Sequence, residues 1–429
     1  MNIQTRIDKL LGERCDSFVH SSGLEVCVIP KKHTTLCAKI STRYGSVDST
    51  FRRRDGELVT VPDGIAHFLE HKLFEQEDGS DAFMQFAALG GDSNAGTDFD
   101  VTSYYFTATD NYEENLTVLL DFVTHPFFNK KSVQKEQGII GQEIRMYDDD
   151  PNWRVFFGLM QAMYKNNPMR NDIAGTVESI SHITPELLYE CYNTFYDLSN
   201  MLLSVCGDIT VEQVAAICDK VLEQKKTDGG FSRSYPDEPR EVFKKRSLEQ
   251  LEVAQPLFAI GFKDVPGFGE DIVRRDFINS ILLRAIFGQS GDFYTKHYES
   301  GLITKRFGAS YSFLRTGAFA CIEGSSKDPE AVYAAVMEET AYRKRVFFSE
   351  SDFERAKKTV YSAFIQTFDS TDETAGAFTS YMFAGVHLFD IPRIISSVSY
   401  ADVKECFDSL YCEEYSTLSV VDPIRKEQK

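Results

Sequence analysis

The chain has 429 residues, which is more than the roughly 100–200 residues of one typical domain, so we expect two domains or a duplicated unit. Hydrophobic residues make up 42% of the chain and charged residues 26%, and this composition excludes a disordered or low-complexity protein. The 65 acidic and 46 basic residues give a net charge of −19, which argues against nucleic acid as a partner because phosphates would be repelled.

The N-terminal segment and the cysteines bear on the compartment. Residues 1–18 carry charges throughout and lack the apolar centre of a secretion signal. The nine cysteines are an odd number and include no C-x-x-C pair, which favours a reducing environment. No apolar run approaches the roughly 18–20 residues of a membrane-spanning helix. We therefore predict a cytoplasmic protein without a membrane partner.

Short apolar or alternating runs interleave with helical periods along the whole chain. The runs predict strands at residues 24–29, 37–44, 102–109 and 201–205, and then at 257–262, 308–313, 318–324 and 417–421. Strands that follow one another without an obligatory crossover helix favour an α+β fold, with a mostly antiparallel sheet and helices packed on one face.

The two parts of the chain resemble each other. The text ISHITPELLYECYNTFYDLSNMLLSVCGDI from Ile180 aligns with ISSVSYADVKECFDSLYCEEYSTLSVVDPI from Ile395. Residues 224–240, rich in glycine, proline and charge, separate the two parts. We predict two tandem duplicated halves, 1–223 and 241–429, joined by a linker at 224–240 and enclosing a cleft or chamber.

The motif His67-x-x-Glu70-His71 carries the clearest chemistry. Residues four apart lie above one another on a helix, so both imidazoles can bind one cation while Glu70 lies beside them. The order His-x-x-Glu-His is typical of inverted zinc peptidases. The alternative is a chance grouping, or a buried hydrogen-bonded cluster.

A third ligand is expected, because catalytic zinc keeps three protein ligands and one open position. The predicted helix at 131–147 places Glu136 and Glu143 seven residues apart on one face, so either carboxylate could reach a buried metal. The alternative is an acidic stripe that faces solvent. Gly138 and Gly141 inside this helix predict a close approach to another backbone.

Two stretches carry a family resemblance: GIAHFLEH from Gly64 and QKEQGIIGQEIRMYDDDPNWR from Gln134. They resemble the insulinase (pitrilysin) family of zinc peptidases, in its YmfH-like bacterial branch related to the mitochondrial processing peptidase subunits. The resemblance covers most of the chain and is more specific in the first half. It implies that His67, His71 and Glu143 ligate Zn²⁺, that Glu70 is the general base, and that Glu136 orients a ligand histidine.

The resemblance also implies how a peptide substrate is held. Family members bind it as an added strand at a sheet edge near the metal, and residues 90–98, with Asn94 and Ala95, match that place; a plain turn is the alternative. Active members have an Arg and a Tyr in the second half that contact the substrate carbonyl. Here Tyr311 matches the Tyr, and either Arg306 or another subunit supplies the Arg.

The second half departs from the metal motif. Its counterpart of the histidine motif falls in residues 278–288, and its counterpart of Glu143 lies near Ala363, so we expect one zinc per chain. The resemblance implies a zinc endopeptidase of unfolded or short peptides that pairs with a metal-free paralogous subunit. The alternatives are a non-catalytic scaffold, or a self-sufficient homodimer that uses Arg306 and Tyr311.

Overall fold

The computed structural model describes residues 2–223 and 230–424. The strands in this part of the chain are β1 (Gln4–Asp8), β2 (Glu13–Val19), β3 (Glu25–Pro30), β4 (Leu36–Thr42), β5 (Thr50–Arg52), β6 (Leu58–Thr60), β7 (Asp92–Thr97), β8 (Thr102–Ala108), β9 (Met201–Gly207), β10 (Ser232–Arg233), β11 (Arg246–Leu251), β12 (Leu257–Asp264), β13 (Gly308–Phe313), β14 (Ala318–Ser325) and β15 (Ser416–Pro423).

The helices complete the element list. They are α1 (Ile65–Leu73), α2 (Ala82–Ala88), α3 (Tyr112–Thr124), α4 (Lys130–Asp149), α5 (Pro151–Met163), α6 (Val177–Ser181), α7 (Pro185–Phe195), α8 (Val211–Val221), α9 (Glu270–Phe287), α10 (Asp292–Glu299), α11 (Pro329–Arg345), α12 (Glu350–Gln366), α13 (Thr371–Phe383), α14 (Ile391–Ser397) and α15 (Tyr400–Leu410). None of the helices in the described ranges is long and apolar enough to cross a membrane.

The strand predictions are confirmed. Each of the eight predicted strands is present, with both ends within two residues of the expected positions. The predicted helix at 131–147 corresponds to α4. Three of the strands that were not predicted, β1, β7 and β11, lie at sheet edges, where one or both faces meet solvent and the apolar pattern is weak.

Unit 1 comprises Met1–Gln142, Asp172–Ser234 and Phe364–Phe389. Its main sheet has the order β1-β2-β3-β9-β4-β8-β7, in which β3 and β9 are parallel and the other neighbours are antiparallel. A small sheet, β10-β5-β6, belongs to the same unit. Every residue of β9 is buried, as expected for a central strand covered on both faces.

Unit 2 comprises Glu143–Asn171, Tyr235–Ala363 and Asp390–Lys429. Its sheet has the order β11-β15-β12-β14-β13, with β11 and β15 parallel and the other neighbours antiparallel. This order and these directions repeat those of β3-β9-β4-β8-β7 in unit 1. The predicted α+β fold with two duplicated halves is thereby confirmed; the cleft between the halves stays a prediction.

The compact units differ from the two halves of the sequence by an exchange of helices. Helix α5 packs on β15, β12 and β11 of unit 2, and α13 packs on β9 and β4 of unit 1. The unit boundaries therefore fall inside α4 and α12. The physical reason is burial, because α5 buries a wholly apolar face and α13 buries a face that includes Ala375 and Phe378, and a sheet covers each face. The predicted boundaries at 223 and 241 describe the sequence repeat rather than the packing.

Part of the predicted linker is structured. Residues 224–229 lie outside the described residues, but Ser232–Arg233 forms β10 and pairs with β5. Arg233 Nε donates to Asp48 Oδ1 at 3.0 Å, and the Asp48 side chain is fully buried. A buried carboxylate needs a charged partner, so this end of the segment is held in unit 1. The linker at 224–240 stays a prediction, with the addition that its residues 232 and 233 pair with a strand of unit 1.

Candidate metal centre

Two glycines place the start of α1, the helix that carries the histidine motif. Gly64 caps the helix with φ 90°, and a Cβ at this position would lie 2.4 Å from the carbonyl oxygen of Ala174. Gly175, with φ 74°, meets the carbonyl oxygen of Asp63 in the same way, at 2.5 Å. Glycine is required at both positions because a side chain would clash and the left-handed backbone disfavours other residues. The two segments are thus held in direct backbone contact.

The apolar side of α1 fixes its rotation. The apolar side chains of α1 that are buried in the core of unit 1 are Ile65, Ala66, Phe68, Leu69 and Leu73. The chemically active residues follow the edge of this apolar face: His67 and Glu70 are each 8% exposed, and His71 is half-buried. Burial of polar side chains at this level is costly without a partner. The helix therefore presents the motif from the boundary of the core.

The motif and α4 bring three donor atoms together. The rings of His67 and His71 lie 4.6 Å apart, and ligand atoms of His67, His71 and Glu143 all lie within 4.8 Å of one another. Glu143 lies about two turns beyond Glu136 on the same helix, α4. Glu136 belongs to unit 1, as both histidines do. Two imidazoles and one carboxylate are a donor set that suits zinc with an open fourth position. In residues 2–223 and 230–424 no other His, Cys, Asp and Glu side chains form such a group.

Glu136 is the carboxylate next to the ligand set. Its Oε1 lies 3.2 Å from Nδ1 of His71, and its side chain is 12% exposed. Burial would raise the pKa of Glu136, but the hydrogen bond and the charges of His71, Lys72 and Lys135 outweigh burial and lower that pKa. With Nδ1 directed at this carboxylate, Nε2 of His71 is the nitrogen suited to bind a metal. The orienting role of Glu136 remains a prediction, and this geometry is compatible with it.

Glu70 has a partner that the sequence did not reveal. Thr97, the last residue of β7, donates a hydrogen bond from Oγ1 to Glu70 Oε2 at 3.0 Å. Thr102 Oγ1 lies 3.4 Å from Thr97 Oγ1 and donates to the carbonyl of Tyr44. These bonds orient the carboxylate of Glu70. The sequence could have indicated this partner only through the pairing of β7 with β8, because that pairing makes Thr97 and Thr102 neighbours.

Residues 90–98 contain the edge strand β7 (Asp92–Thr97) rather than a plain turn. Strand β7 lies at one end of the seven-stranded sheet and packs beside α1. Asn94 is exposed, Ala95 is half-buried, and the backbone N–H of Ala95 donates to the Asn94 side chain at 2.8 Å. An edge strand offers backbone groups to an added strand. Substrate contacts by Asn94 and Ala95 remain a prediction.

Glu143 also has a partner that sequence reasoning missed. Tyr147 donates a hydrogen bond from its hydroxyl to Glu143 Oε1 at 2.6 Å. The ring of Tyr147 stacks on Trp153, with centroids 4.4 Å apart and planes inclined by 14°. The i,i+4 spacing of Glu143 and Tyr147 was visible in the sequence, but nothing there distinguished this pair from other surface pairs.

The other two predicted substrate residues belong to unit 2. Tyr311 is 9% exposed, and its hydroxyl donates to Asp264 Oδ2 at 2.8 Å. Arg306 has an exposed side chain in the segment that precedes β13.

The expected close approach of α4 at Gly138 was wrong, because a Cβ at this position would meet no atom within 4 Å. This glycine faces open space, so packing does not require it.

The chain belongs to the insulinase family, peptidase family M16: residues 60–177 match the model of that family, and residues 182–360 match the model described as the peptidase M16 inactive domain. The family assignment made from the two sequence stretches is confirmed.

Individual relatives extend this similarity over the whole chain. The chain is 40% identical over 417 residues to the uncharacterized zinc protease YmfH of Bacillus subtilis, covering 94% of this chain and 95% of that protein. It is 24% identical to the uncharacterized zinc protease YmxG of the same organism, covering 84% and 88%. An M16-like peptidase from Alicyclobacillus acidocaldarius has a similar crystal structure, with a TM-score of 0.92, 32% identity and 99% of each chain covered.

Proposed function

We propose that the chain is a zinc endopeptidase that hydrolyses unfolded or short peptides, with one zinc held by His67, His71 and Glu143. The observation that carries the proposal is the donor group itself, three ligand atoms within 4.8 Å, with a nearly buried carboxylate, Glu70, one residue from a ligand on the same helix. Zinc in the family is supported by relatives that are named zinc proteases.

The residues of the chain then have separate tasks. Bound zinc would polarise the scissile carbonyl and make water more acidic. Glu70, oriented by Thr97, takes a proton from the attacking water and later delivers it to the leaving amine. Glu136 holds the ring of His71 in the orientation in which Nε2 points away from the carboxylate. No covalent intermediate with the chain is needed.

The edge strand β7 supports an extended peptide as the substrate. Its residue Thr97 bonds to Glu70, so a peptide that pairs with the edge of β7 would run close to the general base. Most strands of a folded protein already have their backbone groups paired, so they must unpair before they can add to β7. This favours unfolded or short peptides, and the net charge of −19 favours basic ones.

We further propose that this chain is the metal-bearing subunit of a dimer with a metal-free paralogue in the cytoplasm. Tyr311 is engaged with Asp264 in unit 2, which supports a carbonyl contact supplied by another subunit. A self-sufficient homodimer that uses Arg306, and a scaffold without catalysis, are the alternatives. The mass of the native particle and the turnover of the purified chain separate the three.

The test uses the purified zinc-loaded chain, a pool of unfolded peptides and mass spectrometry. Glu70→Gln is expected to keep zinc and to lower hydrolysis by about 10²-fold or more, since a positioned base contributes about 10²–10⁴-fold. His71→Ala is expected to lose both zinc and hydrolysis, because two ligands do not hold catalytic zinc tightly. Full hydrolysis by Glu70→Gln would remove Glu70 from the mechanism. Bound zinc without any cleavage by the natural chain would favour a missing subunit or a scaffold.

A further inference from the structure

We propose that Tyr147 is a positioning residue of the metal centre, which holds the Glu143 carboxylate in its ligating orientation and is itself held by a ring stack on Trp153. The inference rests on the proposed function, because it concerns the zinc ligand Glu143. It gives a role to Tyr147, a residue to which neither the motif nor the resemblance assigned one.

The hydrogen bond is the first observation. The Tyr147 hydroxyl donates to Oε1 of Glu143 at 2.6 Å, a short bond of the kind that a carboxylate accepts from a hydroxyl. Both residues lie on α4, one turn apart, so the helix sets the distance between them. With Oε1 engaged by the phenol, Glu143 is directed to offer its other oxygen to a metal, as a ligand through one oxygen.

The ring stack is the second observation. Tyr147 and Trp153 have centroids 4.4 Å apart and an interplanar angle of 14°, and Trp153 also contacts Phe157 at 5.1 Å. A phenol on a half-buried side chain would otherwise sample several rotamers. The stack removes that freedom, so the hydroxyl stays in place when the metal is absent.

The start of α5 brings Trp153 over Tyr147. Asp150 caps α5 by accepting the N–H of Asn152 at 2.8 Å, and Pro151 occupies the first helical position, where its fixed φ suits a helix start. These residues impose a sharp turn between α4 and α5. Trp153 therefore lies against Tyr147 in the last turn of α4. Glu143, Tyr147 and Trp153 all belong to unit 2.

The test measures zinc affinity in the full chain. The natural protein, Tyr147→Phe and Tyr147→Leu are stripped of metal and titrated with zinc against a chromophoric chelator of known affinity. Tyr147→Phe keeps the ring stack and loses only the hydroxyl, and we expect its zinc affinity to fall by about 10-fold, as is usual when a partner of a metal ligand is removed. Tyr147→Leu also loses the stack and is expected to bind zinc still more weakly.

Two measurements separate positioning from a general effect on the fold. Trp153 is the single tryptophan of the chain, so the emission of the metal-free protein reports on the stack and should be the same in Tyr147→Phe as in the natural protein. The matched control is Tyr333→Phe, which removes a phenol that bonds to Ser416 at 2.7 Å in the same unit and should leave zinc affinity unchanged.

The outcomes are distinct. If the natural chain binds one zinc and Tyr147→Phe binds it equally well, the positioning role is overturned while the proposed metal site stands. If Tyr333→Phe weakens zinc binding as much as Tyr147→Phe, the effect belongs to the fold and the inference is again overturned. If the natural chain binds no zinc, the proposed function fails together with the inference.

Discussion

The two units share a sheet order but use a matching helix for different purposes. In unit 1, α1 packs beside the edge strand β7 and carries His67, Glu70 and His71. In unit 2, α9 packs beside the edge strand β13, and residues 278–288, the counterpart of the motif, are mostly buried apolar side chains. The comparison teaches that the duplicated frame does not determine the chemistry. A few side chains on one helix do so.

Unit 2 has a buried polar cluster beside α9. Asp264, at the end of β12, is 3% exposed and accepts two hydrogen bonds from Arg275 of α9, at 2.5 and 2.8 Å, and one from Tyr311. Arg240 lies 3.4 Å from the same carboxylate. Through these hydrogen bonds the Asp264 carboxylate of β12 links α9 to the sheet. In unit 1 the matching helix α1 instead carries His67 and His71, two of the three candidate metal ligands.

The largest expected effect breaks this cluster. Asp264→Asn leaves Arg275 and Arg240 without their carboxylate partner, and removing one member of a buried ion pair costs about 3–5 kcal/mol of the free energy of unfolding. Urea unfolding measures the loss. The control is Glu270→Gln, at the start of the same helix α9. It breaks the exposed ion pair between Glu270 and Arg393 of α14 and should change stability little. Unchanged stability with lost peptide cleavage would instead favour the substrate role of Tyr311.

A smaller effect concerns Glu70, the proposed general base, in unit 1. Thr97→Val removes the hydroxyl that bonds to Glu70, and we expect kcat to fall about 10-fold with zinc content and KM unchanged, since a partner of an active-site group typically contributes 10–100-fold. Steady-state kinetics and zinc analysis provide the measurement. Thr50→Val removes a comparable hydroxyl bond in the small sheet and serves as the control. A rise in KM at constant kcat would show that Thr97 acts on substrate binding instead.

The smallest effect sharpens the comparison through pH. Burial raises the pKa of Asp276 on α9 to about 7, and a hydrogen bond from Ser280 offsets this only in part. Between about pH 4 and pH 7 the unfolded chain loses this proton while the folded chain keeps it, so the contribution of Asp276 to stability falls as pH rises. Asp276→Asn has no such titration.

We therefore expect Asp276→Asn to gain stability relative to the natural chain between pH 5 and pH 8, by on the order of 1 kcal/mol. Urea unfolding at the two pH values measures this gain, and Asp408→Asn, at an exposed position of α15, is the control. A stability difference that does not change with pH would mean that Asp276 does not titrate in this range.

The sequence predicted the elements whose pattern is local. Buried strands such as β9 and β12 were found because continuous apolar runs of that length have few other uses. The edge strand β7 was left open between a strand and a turn, because its residues alternate between exposed and half-buried and include no large apolar side chain. Strand pairing, which no local pattern records, decided that segment.

The same division applies to the metal centre. The spacing of His67, Glu70 and His71 was sufficient to predict their common face, because a helix converts four residues into one turn. The spacing of Glu136 and Glu143 placed both on one face of α4 but could not decide between them. In the structure, ligand atoms of Glu143 and of both histidines lie within 4.8 Å of one another, whereas Glu136 Oε1 lies 3.2 Å from Nδ1 of His71.

What the sequence determined by itself is the duplicated α+β frame and the motif helix, since both follow from periodicity and repetition along the chain. Only the tertiary structure decided that α5 and α13 are exchanged between the units, that Thr97 orients Glu70, and that Tyr147 reaches Glu143 beneath Trp153. These contacts depend on strand pairing, on rotamers and on burial of apolar faces. Such terms join residues that are distant in sequence or choose among rotamers, so no local pattern encodes them.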